Sequence, residues 1–263
     1  MTKVITVTNQ KGGTGKTSTS LFISYGLALR GYHVLLIDLD SQADASFSTG
    51  VQYDQTKTSL EVILRDIPIE DAVVPVNTKK ETTLDLLPAS PNLASLDIQL
   101  VKRQLLDAQY NLSEALKPVL SNYDYVVIDT PPAISMAVLN ALTASDYVLV
   151  PTQADIYGLK GLGNLANTIN SIQQRSNPKL KVLGILLGRY NARTNFTQAI
   201  TNMLNSTSQQ LHTRVFDAKI REAIAIKEAQ GEQTNLFEYA PKAKVTEDVN
   251  QFIDELLGGI NHD

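Results

Sequence analysis

The stretch Lys11-Gly12-Gly13-Thr14-Gly15-Lys16-Thr17 decides the fold class of this chain. An apolar, β-branched run at residues 4–7 precedes it, and residues 18–30 after it carry apolar side chains at the spacing of a helix with one buried face. A strand, a glycine loop and a helix in this order are typical of a phosphate site, because loop N–H groups and the helix dipole point at one anion. We therefore predict that Gly12, Gly13, Thr14 and Gly15 line a phosphate. Lys16 then reaches its outer oxygens, and the Thr17 hydroxyl can ligate Mg²⁺.

The loop departs from the ordinary phosphate-loop pattern G-x-x-x-x-G-K-[ST]. That pattern requires glycine at position 10, where this chain has Gln10, and here a second lysine, Lys11, opens the loop. The simplest alternative is a tight turn between a strand and a helix. A turn alone has no use for two lysines facing a helix N-terminus, so we favour the phosphate site.

Composition limits the class of protein. The chain has 263 residues, of which 43% are hydrophobic and 19% charged, enough for one large α/β domain with a sizeable core. It has no cysteine, which excludes disulfides, thiolate metal sites and iron–sulfur clusters. We see no signal peptide and no apolar run near the ~20 residues of a membrane helix, so we expect a cytoplasmic protein.

Charge is unevenly spread along the chain. The net charge is −4, yet the segment 175–227 carries nine Lys and Arg against two acidic residues, a local charge of +7. An acidic protein with one basic segment indicates a local anionic partner. The nine cations are Arg175, Lys179, Lys181, Arg189, Arg193, Arg214, Lys219, Arg221 and Lys227.

Aspartates follow two predicted strands. Asp38 lies at the end of the apolar run 32–39 and Asp40 directly follows that run, while Asp129 ends the run at 123–129 shortly before two prolines. Ligands of α/β sheets bind at the carboxyl ends of strands, where Asp129 can hold the water shell of a Mg²⁺ ligated by Thr17. The alternative for Asp129 is a cap of the helix that starts near Ser135.

The remaining pattern alternates strands with helices, which predicts an α/β fold with a doubly wound, mostly parallel sheet and helices on both faces. No repeat or linker divides the chain, so we expect one domain over residues 1–263. The further predicted strands are 84–87, 147–150, 182–187 and 213–216. The further predicted helices are 58–65, 93–105, 112–120, 157–172, 194–211, 219–230 and 242–257.

Three motifs together resemble the deviant Walker A ATPases of the ParA/MinD family, and within it the ParA/Soj-type partition ATPases. They are the loop at 11–17, Asp38-Leu-Asp40-x-Gln42 and Ile128-Asp-Thr-Pro-Pro132. The segments 151–162 and 191–194 also match, so the resemblance covers nearly the whole chain. It implies a phosphate-loop fold, weak ATP hydrolysis with Mg²⁺, an ATP-dependent homodimer and a ParB-like, centromere-bound partner that stimulates hydrolysis.

The resemblance also implies residue roles. Lys11 matches the lysine that reaches the phosphates of the other subunit, and Lys16 and Thr17 match the phosphate and Mg²⁺ ligands. Asp40 matches the aspartate that positions the attacking water, whereas Asp38 and Asp129 match aspartates near the metal. Because positioning and charge stabilisation dominate phosphoryl transfer, a lysine supplied by the partner subunit makes hydrolysis depend on dimerisation.

Arg193 and Arg221 match DNA-binding positions of the ParA branch, and both lie in the basic segment. Non-specific DNA binding needs little beyond cations on one face, so we expect a nucleoid-associated protein without operator recognition. The alternative is a solvated charged surface.

Two segments depart from the family pattern. Ser41 stands where the family often has proline, which loosens that turn. Asp217-Ala-Lys219 replaces the family segment that helps hold the adenine, so the base pocket is not carried over.

Other functions remain open. A MinD-like protein uses a basic, amphipathic C-terminal helix on membranes, but the tail here is acidic, so we expect no membrane binding and a helix packed on the domain. A metabolic enzyme with the same loop would leave the basic segment unexplained. A nucleotide-gated DNA-binding scaffold with negligible hydrolysis would have no need of Asp40.

Overall fold

The computed structural model describes residues 1–53, 56–79, 82–153, 156–190, 208–209 and 213–261. Within these residues one sheet has the strands β1 Lys3–Val7, β2 Val34–Asp38, β3 Val74–Pro75, β4 Leu84–Leu87, β5 Tyr125–Asp129, β6 Tyr147–Gln153, β7 Lys181–Tyr190 and β8 Val215–Arg221. Their order in the sheet is β3-β4-β2-β5-β1-β6-β7-β8. All neighbouring strands are parallel except β3 and β4, which confirms the predicted α/β class with a mostly parallel sheet.

Helices cover both faces of the sheet. Alternate residues of one strand enter different cores: Val34 and Leu36 join the core under α1 and α10, whereas Leu35 and Ile37 join the core under α3 to α6. This burial on both faces explains the continuous apolar runs of the central strands. The helices are α1 Lys16–Ala28, α2 Asp44–Ser48, α3 Ser59–Ile63, α4 Leu96–Lys102, α5 Asn111–Leu116, α6 Met136–Ala144, α7 Ile156–Arg175, α8 Ile224–Gly231, α9 Leu236–Tyr239 and α10 Lys244–Asn261.

The observed elements differ most from the predicted ones at β8. We predicted a strand at 213–216 and a helix from 219, but the strand continues to Arg221 and α8 begins at Ile224. The extended backbone is held on one side by β7 and on the other by Glu255, whose carboxylate accepts the N–H groups of Asp217 and Ala218 at 3.0 and 2.9 Å. Tertiary hydrogen bonds thus override a helical apolar pattern.

Smaller differences concern element ends. The predicted helix 93–105 is a 3-10 turn followed by α4, which ends before Gln104 with its positive φ of 52°. The predicted helix 112–120 is the shorter α5, and β6 continues through Pro151. The short strand β3 was not among the predicted strands. The predicted helix 194–211 lies almost entirely outside the described residues.

The C-terminal helix α10 packs on the sheet as expected. Its residues Val249, Phe252, Ile253 and Leu256 are fully buried, and the Phe252 ring meets that of Phe216 edge to face at 5.3 Å. Within the described ranges, no helix has the length and apolar character needed to cross a bilayer.

Gly184 of β7 lies directly against the Phe216 ring of the neighbouring strand β8. A Cβ at this position would overlap the Phe216 ring, which is itself pressed against Phe252. We expect Gly184→Ala to lower the free energy of unfolding by about 1–3 kcal/mol, the usual cost of overpacking a core. Urea unfolding of the variant and of the wild type measures this difference.

Gly163 of α7 provides the matched control, because a Cβ there meets nothing within 4 Å. Gly163→Ala should leave stability unchanged or raise it by up to about 1 kcal/mol, as alanine is the better helix former. Equal urea midpoints for the two variants would contradict the close packing at Gly184.

Candidate functional site

The glycine loop connects β1 to α1 at the carboxyl edge of the sheet. Gly13 and Gly15 have φ angles of +75° and +88°, and an added Cβ at either meets nothing within 4 Å. Glycine is therefore required by the left-handed backbone and not by lack of space. Gly15 is also the N-cap residue of α1 and supplies no side-chain cap. The N–H groups of the first helical turn therefore suit an anion at the loop.

The two lysines of the loop lie in different environments. Lys16 is only 7% exposed, and its Nζ donates to the carbonyl oxygen of Lys11 at 3.4 Å. Burial lowers the pKa of Lys16, whereas the carboxylates of Asp129 and Asp40 act in the opposite direction. Lys11 is partly exposed, and its N–H donates to the Asn9 side chain at 3.1 Å. The loop thus has one buried cation and one at its rim.

Asp129 is fully buried behind the loop. Its Oδ1 accepts a hydrogen bond from the Ser20 hydroxyl of α1 at 3.0 Å. Burial raises the pKa of Asp129 to about 8 and the Asp38 carboxylate adds to the rise, while the Thr17 and Ser20 hydroxyls and Lys16 oppose it. The N-cap position of α6 is Ser135, so Asp129 does not cap that helix.

The surroundings of Asp129 fit a divalent cation. Within the described residues its buried Oδ2 has no hydrogen-bond partner of acceptable geometry, an arrangement that needs a further donor. That part of the chain holds no cluster of three or more His, Cys, Asp or Glu residues able to bind a metal. A Mg²⁺ ion bound by one hydroxyl, by phosphate oxygens and by water needs no such cluster. The residues present fit such an ion, because the Thr17 hydroxyl could bind it directly and Asp129 could hold its water ligands.

Asp38 lies opposite Asp129 in the paired register of β2 and β5, but its contacts differ. Its two carboxylate oxygens accept the N–H of Asp40 at 3.0 Å and the N–H and hydroxyl of Ser46 at 2.9 and 2.8 Å. Burial raises its pKa to about 6. Asp38 therefore holds the following turn with both oxygens, which the motif alone did not indicate.

Asp40 begins this turn, with its side chain near the loop. The Asp40 carboxylate accepts the N–H of Gln42 at 3.0 Å and acts on the charge of Lys16. The structure thus brings Lys11, Lys16, Thr17, Asp40 and Asp129 to one edge of the sheet.

Three amide side chains that the sequence analysis missed hold the loop. Asn9 Nδ2 donates to the Pro151 carbonyl at 2.8 Å, Gln10 Nε2 donates to the Thr168 hydroxyl at 3.2 Å, and Gln153 Nε2 donates to the Gly13 carbonyl. The sequence could have indicated these contacts, because two adjacent amide residues stand directly before the loop and a third stands at the end of β6.

A cavity of about 130 Å³ opens beside the loop. Its lining is mostly apolar and also includes the cations Arg189, Arg221 and Lys227 and the acidic Glu222. Residues 220–223, at the end of β8 and just beyond it, line the pocket, so it exists although Asp217-Ala-Lys219 departs from the family pattern. The apolar wall residues include Phe22, Pro151, Leu186 and Ile226.

Of the two predicted DNA contacts, Arg221 lies among the described residues. Arg193 lies outside the described residues. The Arg221 guanidinium forms a two-pronged ion pair with Asp248 of α10, with N–O distances of 2.6 and 2.7 Å, and its side chain is 45% exposed. Arg221 is thus accessible but partly neutralised.

A sequence model described as an AAA domain matches residues 2–182. Sporulation initiation inhibitor protein Soj of Bacillus subtilis is 36% identical over 250 residues, covering 94% of this chain and 95% of that protein. Chromosome partitioning protein ParA of Myxococcus xanthus is 37% identical over 199 residues, covering 75% and 69% of the two chains.

Solved structures share the same fold. A crystal structure described as cobyrinic acid a,c-diamide synthase from Mycobacterium smegmatis, with bound ADP and magnesium, superimposes with a TM-score of 0.84 at 32% identity, covering 99% of this chain and 96% of that one. Together with the loop, the aspartates and the sheet order, these similarities establish the family. The chain belongs to the ParA/Soj-type partition ATPases of the ParA/MinD deviant Walker A family.

Proposed function

We propose that this chain is a single-domain DNA partition ATPase that dimerises with bound ATP, binds DNA non-specifically and leaves the DNA when a ParB-like partner stimulates hydrolysis. The observation that carries the proposal is the pair of lysines on one loop, Lys16 buried beside Asp129 and Lys11 at the rim. The similarity to Soj and ParA supports the partition role. The protein would then act in the cytoplasm, associated with the nucleoid.

The loop would bind the triphosphate of ATP. Backbone N–H groups at Gly12 to Gly15 and the first turn of α1 would contact phosphate oxygens, and the anion would compensate the cost of burying the Lys16 ammonium. The base would enter the adjacent cavity, whose apolar walls suit a flat heteroaromatic ring. Thr17 and, through water, Asp129 would hold Mg²⁺, which when bound neutralises phosphate charge.

Hydrolysis would transfer the γ-phosphoryl group to water. Asp40 would orient the water and accept its proton, while the bond between the γ-phosphorus and the bridging oxygen breaks to leave ADP. Lys11 of the partner subunit would stabilise charge on that oxygen, so that turnover requires the dimer.

DNA binding would use the basic segment 175–227. Arg193 and Arg221 are the proposed phosphate contacts, and the ion pair with Asp248 would have to weaken as Arg221 meets DNA. An acidic α10 offers no attraction for an anionic membrane, which disfavours the MinD-like alternative. The likeness to a structure described as a synthase keeps a metabolic activity as the second candidate.

The two loop lysines should differ in their effects. We expect Lys16→Ala to weaken ATP binding by roughly 10- to 100-fold, because a charged hydrogen bond is lost. Lys11→Ala should bind ATP like the wild type but lose ATP-dependent dimerisation and turnover. Isothermal titration with ATP–Mg²⁺ and light scattering of the complex measure the two properties.

Lys57→Ala serves as the control, since Lys57 is exposed and pairs only loosely with Asp71 at 3.5 Å. A normal ATP-bound dimer of Lys11→Ala would exclude its role in the partner's site. Wild-type ATP affinity of Lys16→Ala would exclude the phosphate-loop assignment.

Asp129 should make the nucleotide-free protein less stable as pH rises. Its pKa is about 8 in the folded state, against about 4 in an unfolded chain. The resulting stabilisation is fully present below pH ~4 and is lost as pH rises through ~8. Asp129→Asn removes this ionisation, so the variant should lose less stability than the wild type between pH 5 and pH 8.

Thermal unfolding at several pH values, without nucleotide, measures the effect of Asp129. Asp71→Asn changes an exposed carboxylate and should leave the pH dependence as in the wild type. Parallel curves for Asp129→Asn and the wild type would contradict the raised pKa.

DNA binding is the experiment that tests the proposed function. Wild-type protein should bind a random-sequence duplex with ATP–Mg²⁺ but not with ADP or without nucleotide, and the affinity should fall with salt. Arg193→Ala together with Arg221→Ala should weaken binding and reduce the slope of log K against log salt by roughly one unit per lost phosphate contact.

Arg103→Ala is the control, because Arg103 pairs with Asp66 in the region of α3 and α4. An unchanged slope in the double variant would move the DNA surface elsewhere. A wild-type protein that binds no DNA in any nucleotide state would overturn the partition role and favour the metabolic candidate.

A further inference from the structure

We propose that Ser46, acting through Asp38, is a positioning residue for Asp40. The inference rests on the proposed ATPase function and adds a residue outside the motifs. Ser46 lies in the short helix α2, six residues beyond Asp40, and is fully buried. It does not touch the glycine loop through any hydrogen bond that the structure records, so its effect on chemistry must pass through the turn that carries Asp40.

One carboxylate holds both ends of this turn. Asp38 Oδ1 accepts the N–H of Asp40 at 3.0 Å, where the turn begins. Asp38 Oδ2 accepts the N–H and the hydroxyl of Ser46 at 2.9 and 2.8 Å, where the turn ends. Hydrogen bonds to an ionised acceptor are the stronger kind, so residues 40–46 are anchored at two points on a single buried group.

Ser46 also anchors the turn to the neighbouring strand. Its hydroxyl donates to Asp38 and accepts the N–H of Ala89 at 2.9 Å, just beyond β4. Both of these groups are buried, so removal of the hydroxyl leaves an N–H without its acceptor and a carboxylate with one donor fewer. The turn would then lose its link to the sheet on that side.

The conformation of the turn depends on such anchoring. Residues 40–46 contain no proline that would fix a backbone φ angle. Ala43 adopts a φ of +54°, which costs energy for a residue with a Cβ and is kept only when surrounding contacts hold it. We infer that the Asp38–Ser46 contacts supply the rigidity of the turn and so fix the direction of the Asp40 side chain.

The test is steady-state and single-turnover ATP hydrolysis. Ser46→Ala should lower kcat by about 10- to 100-fold, the effect of a displaced catalytic group, while KM for ATP and dimer formation with a non-hydrolysable analogue stay near wild type. Ser46→Thr keeps the hydroxyl and should restore kcat. Ser48→Ala is the matched control, because Ser48 in the same helix donates only to the Asp44 carbonyl.

A double-mutant cycle separates positioning from loss of stability. If Ser46 acts through Asp40, Ser46→Ala should have little further effect on the single-turnover rate of Asp40→Ala. An equal rate loss in both backgrounds, or a wild-type kcat for Ser46→Ala, would overturn the inference.

Should Ser46→Ala unfold, Asp38→Asn provides a second test, because it preserves the side-chain volume but changes one carboxylate oxygen into an amide group that cannot accept. A wild-type kcat for Asp38→Asn would overturn the inference equally. Absence of turnover in the wild type would instead overturn the proposed function.

Discussion

Parallel pairing of β5 with both β1 and β2 is the constraint on which the site depends. In this register Val7 and Asp38 each lie opposite Asp129, so the three strands end at the same level of the sheet. The glycine loop follows β1, the Asp40 turn follows β2 and the Thr130 turn follows β5. Thr130 adds a direct link, because its hydroxyl donates to the Val7 carbonyl at 2.9 Å. A change of register in either pair would separate groups that must meet.

The site concentrates charge where the fold excludes water. Asp38, Asp129 and Lys16 are all buried, and their pKa values shift in the directions that favour neutral forms. Such a cluster costs stability until a ligand supplies compensating charge. Ala43 adds a left-handed backbone conformation that costs energy for a residue with a Cβ and that the surrounding contacts maintain. The carboxyl edge of the sheet therefore carries several unfavourable contributions to stability, and we infer that ligand binding relieves them.

Much of this arrangement could be predicted from the sequence, because phosphate binding and strand formation depend on local patterns. Neighbouring residues alone were enough to predict the loop, the apolar strand at 84–87 and the aspartates at strand ends. The length of β8 could not be predicted from local sequence, because Glu255, far along the chain, supplies the acceptors that keep this strand extended. Likewise, the roles of Asn9 and Ser46 come from contacts with Pro151 and Ala89, and no spacing in the sequence indicates those pairs.

The amides around the loop have a consequence for how the protein responds to its surroundings. Asn9, Gln10 and Gln153 are uncharged and do not titrate, so the hydrogen bonds that set the loop geometry are insensitive to pH and to ionic strength. By contrast, the attraction that the cations of segment 175–227 exert on an anionic partner falls as ionic strength rises. The hydrogen bonds that hold the loop are therefore insensitive to salt, whereas the attraction exerted by the cations is sensitive to it. A change in salt concentration would alter the attraction between these cations and an anionic partner while leaving the hydrogen bonds of the loop in place.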